Sequence, residues 1–216
     1  MARENKHDRF SRELCEGLLP HFGPGYIYRS GRPHSLVMQT AFGSQRCGVL
    51  LPSGYGGAKR LEFVLGVRHD RFQDVVSRLS LDDSYPADID HFWSTSFNCI
   101  RHLVPGTDAS MGCWEILLRD SGGDYVPVVL PALRALSDAF FTKFSDLRAA
   151  RDAVLGHDGT LFNLSAWQQV AIADLALKDY AHLREFAVRE MRGWGMERDE
   201  ALWHRIRHEF ADAVIA

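Results

Sequence analysis

Near the start of the chain apolar residues recur every fourth position. Phe10, Leu14 and Leu18 form one stripe, which predicts a helix over residues 7–19. Pro20 and the following His21-Phe22-Gly23-Pro24-Gly25 are expected to stop it. The period then drops to two. A short strand is predicted at 26–29, followed by a turn at Ser30-Gly31-Arg32-Pro33. Over 35–42, Leu36, Met38, Thr40 and Phe42 share one face. Over 46–51, Cys47, Val49 and Leu51 do so, and over 60–68 Leu61, Phe63, Leu65 and Val67, with Glu62 and Arg68 opposite. Alternation broken by short polar turns describes an antiparallel meander with one buried face, and the first helix can cover that face.

Residues 70–79 return to helical spacing through Phe72, Val75, Val76 and Leu79. An acidic loop is expected at 80–91, extended segments at 93–103 and 113–119, and a turn at Ser121-Gly122-Gly123-Asp124 that ends in an N-cap. From 125 onward the pattern is helical throughout. Val129, Leu133, Leu136 and Phe140 mark the first face, with Pro127 and Pro131 in its early turns. Ser145 is the expected cap of a short helix with Leu147, Ala150 and Val154. Ser165 is the expected cap of a helix with Trp167, Val170, Ala171 and Leu175. Residues 179–192 and 198–214 follow, the last with Leu202, Ile206, Phe210 and Val214. The fold class is therefore α+β: an N-terminal helix on an antiparallel sheet, with a helical C-terminal half. Residues 1–124 form the sheet region and 125–216 the helical region, packed together as one compact domain.

Composition narrows the function classes. At 46% hydrophobic and 25% charged, the chain matches an ordinary globular protein, which excludes disordered and fibrous classes. No apolar run approaches the ~18 residues of a membrane helix. Residues 1–22 lack the apolar core of a signal peptide. Cys15, Cys47, Cys99 and Cys113 match no CxxC spacing and sit among apolar neighbours. They are expected as buried free thiols in a cytoplasmic protein.

Charge is unevenly placed. Between residues 20 and 69, Arg29, Arg32, Arg46, Lys59, Arg60 and Arg68 stand against Glu62 alone. Between 70 and 124, four arginines stand against ten carboxylates. Asp82, Asp83, Asp88 and Asp90 concentrate in one loop, with Tyr85 inside it and Trp93 just beyond. Carboxylates beside aromatic anchors suit a surface for a basic protein partner. The rival reading places an anionic substrate on the basic strands, held by Arg29, Arg32, His34 and Arg46. A third sets Tyr26 and Tyr28 beside Arg29 and Arg32 as a nucleic-acid face, against which the overall charge of -3 argues.

Other motifs carry less. Ser53-Gly54-Tyr55-Gly56-Gly57 precedes a strand rather than a helix, so it reads as a hairpin loop and not a phosphate cradle. His204, His208 and Asp212 lie in one row on the last helix, away from the apolar row, and read as a solvated face rather than a metal site. No GxSxG is present. No cofactor, metal or catalytic residue is assigned.

The order of elements is carried by LVMQTAFG in mid-meander, CWEILLRD, DAFFTKFSDLRAARDAVL and AIADLALKDYAHLREFAV. In this layout the chain resembles uncharacterised bacterial α+β families of unknown function. Some of those occur beside toxins as candidate immunity proteins. The resemblance implies a small cytoplasmic, non-enzymatic binding protein that occludes a cognate toxin. It transfers no catalytic residue.

Overall fold

The structure is a computed structural model that describes residues 5–31, 33–52, 59–81, 93–96, 114–156, 166–190 and 200–211. Helix α1 spans Lys6–Phe22, and the Asn5 side chain caps it by accepting from the His7 N–H. It passes through Pro20 instead of stopping there. A proline there keeps a helical φ but loses the bond to the carbonyl four residues back and crowds it, a cost that the buried stripe of Phe10, Leu14 and Leu18 offsets. The chain leaves the helix at Gly23, whose φ is 97°.

Four strands follow: β1 (Tyr26–Arg29), β2 (Ser35–Thr40), β3 (Gly43–Leu50) and β4 (Lys59–His69). They form an antiparallel meander in sequence order. The register sets Tyr28 beside Leu36, Leu36 beside Cys47 and Cys47 beside Leu65. That row, with Val49, Leu61, Phe63 and Val67, is the inner face. Phe10, Leu14, Cys15 and Leu18 of α1 are buried with it. Each such Phe or Leu contributes about 1.5–3 kcal/mol of apolar burial.

The β2–β3 hairpin differs from the expected strand over 35–42. Its closing pair is Thr40 and Gly43, so Ala41 and Phe42 form the turn. Gly43 has φ 149°, and a Cβ there would lie 2.1 Å from the Arg68 carbonyl oxygen. Only glycine fits both requirements. Helix α2 (Asp70–Arg78) leaves β4 without a loop.

Strand β5 (Trp93–Ser96) pairs with Val64–Val67 of β4, and β6 (Trp114–Ile116) pairs with its opening residues Lys59–Leu61. A 3-10 turn over Gly122–Tyr125 is seated on α1. Its cap is Ser121, which accepts from the Gly123 N–H, and the helix that follows has Tyr125 at its N-cap, with no side-chain cap bond, rather than the expected Asp124. The Ser121 hydroxyl and the Gly122 N–H donate to Glu13.

Helix α3 (Val126–Phe144) contains Pro131 and packs on α1 and β4. The next helix, α4 (Leu147–Leu155), is capped by Asp146, which accepts from the Arg148 N–H. The expected cap, Ser145, instead donates back to the Thr142 carbonyl. Helices α5 (Ala166–Leu177), α6 (Tyr180–Glu190) and α7 (Glu200–Glu209) complete the described chain. Helix α5 packs on α2 as well as α4. One hydrophobic cluster runs from Phe10 through the sheet to Phe210, so sheet and helices share a core. The molecule is α+β, with a helix on an antiparallel sheet and a helical C-terminal half.

Candidate functional site

The acidic stretch carrying Asp82, Asp83, Tyr85, Asp88 and Asp90 lies outside the described residues, as do the glycine cluster at 53–57 and Asp212. Trp93 opens β5, at the opposite edge of the five-strand order from β1. On the basic strands, Arg29, Arg46, Arg60 and Arg68 all alternate away from the inner face. The arginine run thus becomes one outer sheet face. Arg46 donates to the Pro33 carbonyl, Arg60 pairs with Glu62 at 3.3 Å and Arg68 with Asp70 at 3.5 Å.

The anion-binding quartet does not gather around one point. His34 turns to the inner side against α1, opposite Arg29 and Arg46, and Arg32 lies outside the described residues. The tyrosines beside the arginines also point inward. Tyr26 packs edge-on against Phe22 and donates to Gln45, and Tyr28 bonds His34. A base-stacking platform needs aromatic faces turned out among the cations, and neither tyrosine supplies one.

His34 belongs to a different arrangement. The first turns of α1 face the start of β2 and the end of β3 across an open cleft of about 450 Å³. One wall is Asn5, His7, Asp8 and Ser11. The other is Pro33, His34, Val49, Leu50 and Leu51. The His34 ring stacks on Tyr28, with its Nδ1 2.6 Å from the Tyr28 hydroxyl. Its Nε2 faces Asp8 Oδ1 at 3.7 Å, beyond hydrogen-bond reach. Among the described residues no lysine or arginine lines the cleft. The helical periodicity of α1 hides this site, because its polar members lie on the flank of a stripe read only for its core side.

A second polar cluster joins α4, α5 and α6. Asp174 is 0% exposed and Arg151 is 5% exposed, and they pair at 2.6 Å. His182 Nδ1 lies 2.7 Å from the other Asp174 oxygen, with its ring stacked on Phe186. Burial raises the Asp174 pKa, while the bonds from His182 and Arg151 pull it down. Asp179 receives both Arg148 and Arg151, and the Arg151 bond holds its carboxyl below the ordinary range. The chain turns this corner through Lys178 at φ 58°, with the Asp179 N–H returned to the Asp174 carbonyl. The charges therefore fasten three helices to one another. Sequence reasoning missed them, although one signal was present: a lone carboxylate in the otherwise apolar stretch AIADLAL.

A second cleft, of about 400 Å³, lies between the ends of α2 and α7 and holds His204 and His208. Its arginines are already engaged. Arg205 donates to the Leu79 and Ser80 carbonyls at the end of α2, and Arg78 donates to the Glu209 carbonyl at the end of α7. Each guanidinium satisfies the terminal carbonyls of the other helix. His204 and His208 are exposed. Among the described residues no three His, Cys, Asp or Glu side chains converge to hold a metal ion, and no helix is long and apolar enough to cross a membrane.

Comparison with family models, curated proteins and solved structures returned no match.

Proposed function

We propose that the chain is a non-enzymatic cytoplasmic binding module that neutralises a cognate bacterial toxin by covering it. The observation that carries this reading is the open edge of the sheet. Among the described residues β1 pairs with β2 alone, and it turns Ile27, 56% exposed, and Arg29 outward. Tyr26 and Tyr28 anchor the same strand from the inner side through Gln45 and His34. Edge strands are commonly blunted by lysine, proline or a bulge. A short edge strand, rigidly backed and carrying an exposed aliphatic residue, suits a partner that adds a strand or packs on its face. The acidic residues Asp82, Asp83, Asp88 and Asp90 supply long-range attraction for a basic toxin. The buried free thiols of Cys15 and Cys47 suit a reducing compartment, with burial pushing Cys15 up to about 12.

The test is reconstitution. Proteins retained by the immobilised chain from native lysate are identified by mass spectrometry, purified and assayed for toxicity with and without it. The expected result is a toxin whose activity falls stoichiometrically on adding the chain, with inhibition weakened by Ile27→Asp. A retained protein that stays fully active in the saturated complex, or an absence of any stoichiometric partner, overturns the proposal.

A further inference from the structure

We propose that the cleft between the ends of α2 and α7 is a binding site for a phosphate group, free or as the monoester of a small molecule. The proposal goes beyond toxin binding and does not depend on it.

Two fixed guanidinia come first. Arg205, on α7, donates through Nη1 to the Leu79 and Ser80 carbonyls at 3.0 and 2.8 Å. Those bonds occupy one corner of the guanidinium. They leave its Nε–H and Nη2–H edge, a fork that takes an oxyanion bidentately. Arg78, on α2, donates from Nη2 to the Glu209 carbonyl and lies over the Phe210 ring, 4.1 Å from its centroid. That bond uses a single N–H and leaves the others to a ligand. Both side chains line the cleft, whose volume is about 400 Å³. Anchored at one corner, each has less rotamer freedom to lose on binding than a loose surface arginine.

Helix ends raise an objection, because C-terminal carbonyls repel anions. Here the Leu79, Ser80 and Glu209 carbonyls already receive the guanidinium bonds. The Glu209 carboxylate in the lining turns to His208, its Oε1 3.1 Å from Nδ1, and among the described residues it pairs with neither arginine.

Ser80 is the second, independent feature. It closes α2 at φ 51°, the left-handed position that glycine commonly fills. Serine is strained there, and it brings a hydroxyl donor to the cleft wall. His204 adds an exposed imidazole from the α7 side.

Oxygen count then selects the class. A carboxylate spends both oxygens on one fork. A phosphate group has oxygens left for the second guanidinium and for the hydroxyl.

Calorimetry on the full chain tests the proposal, with inorganic phosphate and glycerol phosphate as probes and acetate and glycerol as comparators. The expected result is saturable binding of phosphate, glycerol phosphate or both, tighter than acetate, with no response to glycerol. Tighter binding of the ester identifies a small-molecule monoester as the source, and tighter binding of phosphate identifies the free ion. Affinity should fall about tenfold in Arg205→Lys, which keeps the charge and loses the fork. It should stay unchanged in Arg119→Gln, an exposed arginine outside the cleft. Should Arg205→Lys lower the melting temperature, His204→Ala, which removes only an exposed imidazole, decides, with a weaker affinity expected. No saturable response to either phosphate probe, acetate binding as tightly, equal weakening by Arg119→Gln, or wild-type affinity in the deciding variant overturns the proposal.

Discussion

Asp174 and His69 show how single buried polar groups determine where this fold is vulnerable. Asp174 has no solvent to fall back on, and it holds Arg151 and His182 at once. Its removal takes from the buried guanidinium its one fully buried partner, leaving it only Asp152 and Asp179 at the rim. Asp174→Ala should therefore cost roughly 3–5 kcal/mol, whereas the joint replacement Asp174→Leu with Arg151→Met should recover most of the loss. Urea melts of the two singles and the double measure this, and strictly additive losses would show that the pair is not coupled. His69 makes a different demand. It is buried, donates from Nε2 to the Phe144 carbonyl and stacks near Phe42. Burial lowers its pKa below 6.5, outweighing the Phe144 bond and the pull of Asp146 and Asp70. The unfolded state then binds the extra proton first. Stability is intact above the unfolded pKa and falls as pH drops through it toward the folded pKa. His69→Gln keeps a donor and cannot titrate. Its stability relative to wild type should rise as pH is lowered from about 7 to about 5. Parallel pH profiles for the two proteins would place the acid sensitivity elsewhere. Neither residue announces its role by spacing: His69 ends a strand read for its apolar face, and its acceptor lies at the far end of α3.

At the level of elements, periodicity carried most of the legible information and the turns carried least. Leu61, Phe63, Leu65 and Val67 alternate in β4 as read, because a half-buried strand imposes period two on its sequence. Pro20 misled in one direction, whereas Pro131 lies inside α3 as read. A proline is a strong local signal, but packing keeps α1 and α3 helical around it. Ala41 and Phe42 misled in the other. They have no turn propensity, and the turn exists because Gly43 beyond them can adopt φ 149° against the Arg68 carbonyl. Gly43→Ala should cost more than about 1 kcal/mol, since the new methyl meets backbone and the φ is strained. Asp146→Ala, which removes only a helix cap, should cost about 1 kcal/mol. Thermal melts compare the two. A Gly43→Ala variant as stable as wild type would mean that the hairpin closes through some other pair. The cleft at α1 was not legible at all, because Asp8 and His34 meet only through the packing of α1 on the sheet.

For the whole molecule, the charge asymmetry visible along the chain becomes a spatial one on its basic side. Register alone gathers Arg29, Arg46, Arg60 and Arg68 on the outer sheet face, while Ile27 marks the open edge. If the chain covers a basic toxin, the two kinds of surface should act at different stages of association. Charges within a Debye length steer the encounter, and salt screens them. Desolvated aliphatic contacts form late and govern how long the complex lasts. Replacing Asp82, Asp83, Asp88 and Asp90 with asparagine should therefore slow association with the purified partner at low ionic strength and converge with wild type at high salt. Ile27→Asp should leave the association rate within about threefold and speed dissociation by tenfold or more. Stopped-flow association and surface-bound dissociation, run after melting curves confirm that both variants fold, separate the two effects. A fourfold variant that associates at the wild-type rate in low salt removes the acidic segment from the encounter. The steering would then fall to the arginine face, the partner would have to be acidic rather than basic, and charge reversal at Arg29 would become the variant that slows its capture.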